Sequence, residues 1–323
     1  MEDRLLKITD LKIEFRSDEG ISKVLDGVSL EIMKGKIVGL VGETGCGKSV
    51  TGHAILGLIP RPPGRIVGGE VLFKGKDLLL TKREELRRIR GKEIAMIFQD
   101  PFGCLNPVYT VGDQIAEAIE LHQSVTRKEA LKRAAKMMEV VNIPDPFKRI
   151  NDYPHQFSGG MRTRVMIAMA LSCNPALLIA DEPTTGLDVT IQAQMLDLIM
   201  SLNEKSNAAV LFISHDLGII SSICDEVVVM YSGSIMEVGK AENFFTDPRH
   251  PYSVALIKCM PRLGERRRML RLIEGTLPNL LSPPSGCRFH PRCSDATARC
   301  EKEKPVLVEI DEGHKVACFK VAG

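Results

Sequence analysis

One loop decides most of what this chain can fold into. The stretch "KIVGLVGETGCGKSV" is a short apolar run that ends in glycine and is followed by Gly42-Glu43-Thr44-Gly45-Cys46-Gly47-Lys48-Ser49-Val50. This is a phosphate-binding loop pattern: the glycines let the backbone wrap so that successive N–H groups point at phosphate oxygens, aided by the positive end of the following helix. Lys48 is expected to reach the β- and γ-phosphates and Ser49 to ligate Mg2+. By average composition the bare pattern arises by chance in roughly one chain in a hundred of this length. The strand-like run before it and the helix-compatible "SVTGHAILGLI" after it lower that chance, so a glycine turn without a ligand is the weaker reading. The motif makes no use of the Cys46 side chain.

A matching acidic pair follows in "ALLIADEP". An apolar strand ending in Asp181 sets a carboxylate at a strand end, where it can hold Mg2+, and Glu182 comes next, suited to orient a water for attack on a γ-phosphate. Alone, such an end is a plain strand-to-loop exit. Beside a phosphate loop the catalytic reading is stronger.

The remaining pattern alternates strands and helices. "LLKITDLKIEF" reads as an opening strand and "AAVLFISHD" as another buried one. "VGDQIAEAIELH", "RKEALKRAAKMMEVV" and "TIQAQMLDLIMSLNEKS" carry apolar residues at helical spacing. This order predicts an α/β fold with a mostly parallel sheet covered on both faces, and a helical insertion over about 100–165. After Asn243 the texture changes, with more Pro, Arg and Cys, which marks a second boundary.

Composition narrows the class. The chain has 323 residues and a net charge of +2, so it is long enough for more than one unit, and whole-chain charge gives no argument for nucleic acid. The basic runs "KREELRRIRGK" and "GERRRMLR" are local and read first as solvated helix faces. No apolar run approaches the roughly eighteen residues of a membrane span, and "MEDRLLKITD" lacks the apolar core of a secretory signal. The expectation is a soluble, cytosolic chain with reduced thiols, in which clustered cysteines suggest metal before disulfide.

"QFSGGMRTRVMIAMAL" then identifies the class. Ser158-Gly159-Gly160 opens a helix and offers a second set of anion-binding N–H groups. A chain with one phosphate loop has little use for these unless they serve a second nucleotide. The stretch resembles the signature of ATP-binding cassette (ABC) ATPases, in which two cassettes pair head to tail around two ATP molecules. The resemblance implies a P-loop NTPase core with an inserted helical subdomain, and it implies roles for further residues. Phe15 would stack on adenine, and Gln99 in "IFQDP" would sense Mg2+. Asp188 in "TTGLDV" would cross the dimer interface, and His215 in "ISHD" would contact the γ-phosphate. Three positions depart from the commonest pattern: Phe157, Met161 and Gly186 stand for leucine, glutamine and alanine.

The tail narrows the branch. "HPYSVALIKCMP" and "LPNLLSPPSGCRFHPRC", with two further cysteines, resemble the C-terminal extension of ATPase subunits from oligopeptide and dipeptide importers. The resemblance implies an ATP-binding domain over 1–245 and an extension over 246–323. It also implies a peripheral place on the cytoplasmic face of the membrane. The partners would be a second, paralogous ATPase subunit, two transmembrane permease subunits and an extracytoplasmic solute-binding protein. Related importers carry peptides, nickel or oligosaccharides. A soluble ABC ATPase acting on DNA or ribosomes is the rival from another class. Such chains carry a long coiled coil, or two cassettes with an iron–sulfur region at the start, and neither is visible here. A regulatory metal-binding module that merely retains a cassette is a further rival, against which the intact Glu182 speaks.

Cys287, Cys293, Cys300 and Cys318 lie five, six and seventeen intervening residues apart. Four thiols suit one Zn2+ or one [4Fe–4S] cluster equally in number, and the spacing matches neither a zinc knuckle nor the ferredoxin run. The resemblance favours [4Fe–4S], with zinc second and His290 and His314 as reserve ligands. Nothing in ATP hydrolysis needs electron transfer, so such a centre would be structural or regulatory.

Overall fold

The computed structural model describes residues 3–260 and 272–322; the basic run at 264–271 lies outside them. The chain divides into two compact units, one of 1–33, 37–80 and 212–323, the other of 34–36 and 81–211.

In the first unit the strand Arg4–Ser17 pairs antiparallel with Gly20–Met33 on one side and Gly64–Phe73 on the other. Lys76–Asp77 closes that sheet in a hairpin. Its strands alternate, with Leu6, Ile8, Val28, Ile32 and Val71 buried and charged residues outward, as expected of a sheet with one dry face.

A second set of strands in this unit carries the phosphate loop. Ile37–Val41 is buried along its whole length and runs parallel to Glu226–Tyr231. Ser234–Lys240 returns antiparallel beside the latter. The tail then adds two strands: His314–Val316 pairs with Ser234–Lys240, and Val308–Asp311 folds back on it. The change of texture after Asn243 does not mean an absent core there. Phe244, Tyr252 and Phe289 are all buried.

In the second unit the strands Ile94–Ile97 and Leu177–Asp181 run parallel. Three helices pack together there, Val111–Gln123, Arg127–Val140 and Gly159–Leu171. Their buried sides include Ile115, Ile119, Ala134, Met138 and Val165. The helix Arg83–Ile89, from the basic run at 82–92, buries none of its residues, as a solvated face should. Ala209–Ser214, wholly buried, carries the chain from the second unit back into the first. No helix of the described residues is long and apolar enough to cross a membrane.

Candidate nucleotide site and thiol cavity

The loop after Ile37–Val41 owes its path to glycine. Gly42 has φ 151°, and a Cβ there would lie 2.1 Å from the Met230 carbonyl oxygen. Gly47 has φ 107° and serves as the N-cap of the helix Lys48–Ile55, with no side chain capping it. The cap residue therefore offers the first amides of that helix no side-chain acceptor.

Lys48 is only 5 % exposed. Its ammonium donates to the carbonyl oxygens of Gly42 at 2.8 Å and Glu43 at 3.1 Å. The cation thus holds the wrap closed through its own loop. Cys46 is buried beneath it, its sulfur 3.9 Å from Lys48 Nζ, and burial pushes its thiol pKa up. Thr44 and Gly45 are exposed, and Ser49 and Val50 are half-buried at the helix start. Phe15 is half-buried opposite Gly64 in the antiparallel sheet. His215 is exposed just past Ala209–Ser214, beside Asp216, which caps the next helix by accepting from Gly218 N at 2.8 Å.

The second unit gathers another group. Asp181 is buried at the end of Leu177–Asp181. Glu182 follows with φ 45°, a left-handed conformation that costs a non-glycine residue about 1–3 kcal/mol and persists only where its surroundings enforce it. Its Oε2 accepts from Gln99 Nε2 at 3.1 Å and from Thr185 Oγ1 at 3.2 Å. Ser158 caps the helix Gly159–Leu171, its Oγ accepting from Met161 N at 3.4 Å. A Cβ on Gly159 would meet nothing within 4 Å, so this helix start is open. Phe157, by contrast, is a core residue. Asp188 caps Val189–Ser206 by accepting from Ile191 N at 2.9 Å, and its neighbour Val189 is 81 % exposed.

The tail brings Cys287, Cys293, Cys300 and Cys318 to one cavity of about 450 Å3, which His250, His290 and Asp295 also line. All nine cysteines are free thiols. Burial pushes Cys287 up to about 11, with the other three thiols adding to the rise, and it raises Cys293 and Cys318 likewise. Mutual repulsion of this kind is what a bound cationic centre relieves. Among the described residues, however, no three His, Cys, Asp or Glu side chains are arranged to hold a metal ion. His314 lies away from the cavity, bonded through Nε2 to the buried Glu237 Oε1 at 2.8 Å, which removes it as a reserve ligand. His290 stays at the cavity, its Nδ1 2.9 Å from the Cys287 carbonyl oxygen.

Several contacts here join residues far apart in sequence. Glu43 N–H donates to Tyr252 Oη at 3.0 Å, and the Glu43 carboxylate accepts from Arg292 Nη1 at 3.0 and 2.8 Å. His250 caps the helix Pro251–Cys259 by accepting from Tyr252 N at 3.0 Å. Only Thr185, three residues past Glu182, was within reach of sequence reasoning.

Comparison with known proteins agrees with this geometry. The profile of the ABC transporter family matches residues 25–185, and that of the oligopeptide/dipeptide transporter C-terminal region matches 236–300. A probable peptide ABC transporter ATP-binding protein of Sinorhizobium fredii is 50 % identical over 98 % of this chain and 95 % of its own length. The dipeptide transport ATP-binding protein of Bacillus subtilis is 45 % identical over 98 % and 95 %. Among solved structures, a dimeric ATP-binding cassette bound to ADP and Pi superposes with a TM-score of 0.66 at 26 % identity, covering 73 % of this chain and 98 % of that one. With a wrapped phosphate loop, the cassette fold and the importer-type tail in one chain, this protein belongs to the ABC transporter ATP-binding proteins of the oligopeptide/dipeptide family.

Proposed function

We propose that this chain hydrolyses ATP to drive peptide import through membrane subunits separate from it. The observation that carries the reading is Lys48, a buried cation held by carbonyls of its own glycine loop. Phosphate oxygens bearing full charge outcompete neutral carbonyls for that ammonium. The peptide cargo follows from the tail profile and from the relatives named for peptide transport.

The roles are those that the resemblance to the family implies. Loop amides from Gly42 to Val50 cradle the phosphates, Lys48 neutralises the β- and γ-oxygens, and Phe15 stacks on adenine. Ser49, Gln99 and Asp181 would hold Mg2+, which neutralises charge on the same oxygens when bound. Their donors suit it, a hydroxyl, an amide oxygen and a buried carboxylate. Glu182 accepts a proton from the attacking water as the new P–O bond forms and the bond to the ADP oxygen breaks. The bonds from Gln99 and Thr185 aim its carboxylate, and His215 contacts the γ-phosphate. Ser158, Gly159, Gly160 and Asp188 serve the nucleotide of a facing cassette. That partner is proposed to be a paralogous ATPase, with two permeases and an external binding protein completing the complex at the cytoplasmic face of the membrane. Domain limits of 1–245 and 246–323, with a helical subdomain over about 100–165, fit this division of labour.

The four thiols are proposed to hold a [4Fe–4S] cluster. Their convergence on one cavity supports the donor set. Number and spacing suit one Zn2+ no less than a cluster, and the resemblance of the tail to that of peptide importers is what favours the cluster.

The test of the ATPase reading is a pair of variants. Lys48→Ala is expected to lose ATP binding, and Glu182→Gln to bind ATP with turnover reduced about a thousand-fold. Normal turnover by Glu182→Gln would remove Glu182 as the base.

A further inference from the structure

The tail does more than carry thiols, because it grips the phosphate loop at one residue. Glu43 is held at its carbonyl, its amide and its carboxylate. Its carbonyl oxygen accepts from Lys48, its N–H donates to Tyr252 Oη at 3.0 Å, and its carboxylate accepts from Arg292. Arg292 is a fixed post, with its side chain only 6 % exposed. Its Nε donates to the Glu274 carbonyl at 2.9 Å and its Nη2 to that of Ile273 at 3.0 Å. The guanidinium also lies over the Tyr231 ring, 5.8 Å from its centroid.

The same short segment lines the thiol cavity. Cys287, His290 and Cys293 face the cavity. Between them Phe289 packs edge-on to Tyr231, with its centroid also 5.2 Å from that of Tyr252. Arg288 donates to the Ser232 carbonyl at 2.9 Å and to Asp26 at 3.0 Å. One stiff turn therefore has thiols on one side and the Glu43 post on the other. A loop pinned before its ligand arrives has less conformational freedom to lose on binding.

We propose that Arg292 is a positioning residue for nucleotide binding, which holds the phosphate loop through Glu43 and makes the state of the four-thiol cavity a determinant of ATP affinity. The inference rests on the ATP-binding reading above. Linkage makes it reciprocal: whatever factor the cavity imposes on ATP affinity, bound ATP imposes on the equilibrium of the cavity.

The experiment measures equilibrium ATP affinity of the full chain with a fluorescent ATP analogue, with a melting curve for each variant. Arg292→Ala and Glu43→Gln are each expected to weaken binding about five-fold, and Arg292→Lys to recover most of the loss. The double variant should bind no worse than about ten-fold below wild type, because both changes remove one contact. Cys293→Ser should weaken binding about three-fold in the wild-type background and leave Arg292→Ala unchanged. Wild-type affinity in Arg292→Ala overturns the proposal, as does an equal Cys293→Ser effect in both backgrounds. If Arg292→Ala does not fold, Glu43→Gln carries the test in its place, and the Cys293→Ser comparison is made in that background. A wild-type chain that binds no ATP sinks the ATPase reading itself, whereas one that binds ATP beside an equally tight Arg292→Ala sinks only this inference.

Discussion

At the scale of single residues, strain marks the chemistry. Glu182 sits at φ 45°, and Gly42 at φ 151° with the Met230 carbonyl where a Cβ would be. Gly42→Ala should therefore destabilise the chain by about 3 kcal/mol. Gly45→Ala, at φ 84° with nothing within 4 Å of its Cβ, should cost only about 1 kcal/mol. Denaturant unfolding of the two variants checks the ranking, and equal losses would refute it. The loop residues were legible because a phosphate wrap is written in consecutive positions. Arg292 was not, because it meets Glu43 across 249 positions of sequence, a pairing that only the folded sheet creates. Likewise the Gln99–Glu182 contact spans 83 positions, and the motifs on either side gave no sign that the two side chains touch.

Among the elements, helices were the clearest to read. Thr110 accepts from Asp113 N and Thr126 from Glu129 N, so caps and apolar spacing agree on where these helices begin. The antiparallel sheet was harder. Gly20–Met33 pairs with Arg4–Ser17 through several register shifts, and such irregularities blur a two-residue period. One helix end carries a pH signature. Burial pushes His250 down to about 3 from its ordinary 6.5. Between those values the unfolded chain binds a proton that the folded chain refuses, so stability falls as pH drops below about 6.5, by about 1.4 kcal/mol per pH unit at full effect. His250→Asn keeps an acceptor for Tyr252 N–H and cannot titrate, so its stability should fall less steeply between pH 6 and about 4. Matching slopes for the two proteins in urea unfolding would show that His250 is not the group responsible.

For the molecule as a whole, the tail is the part that composition described least well. Rising Pro, Arg and Cys suggested an appendage, yet its aromatic residues are buried and its last strands extend a sheet begun near residue 37. Anaerobically purified chain should be brown with about four irons per chain, and Cys300→Ser should bleach it. Colourless protein with one zinc would replace the iron–sulfur assignment with a zinc site. The pairing of His314–Val316 with Ser234–Lys240 also has a consequence during synthesis. The free side of Ser234–Lys240 is made long before the strand that covers it, and at about 5–20 residues per second it stays bare for several seconds on the ribosome. A bare strand side is a template for pairing with other chains. Translation that stalls within the tail should therefore release chains that aggregate, even though every residue of the phosphate loop has already been made.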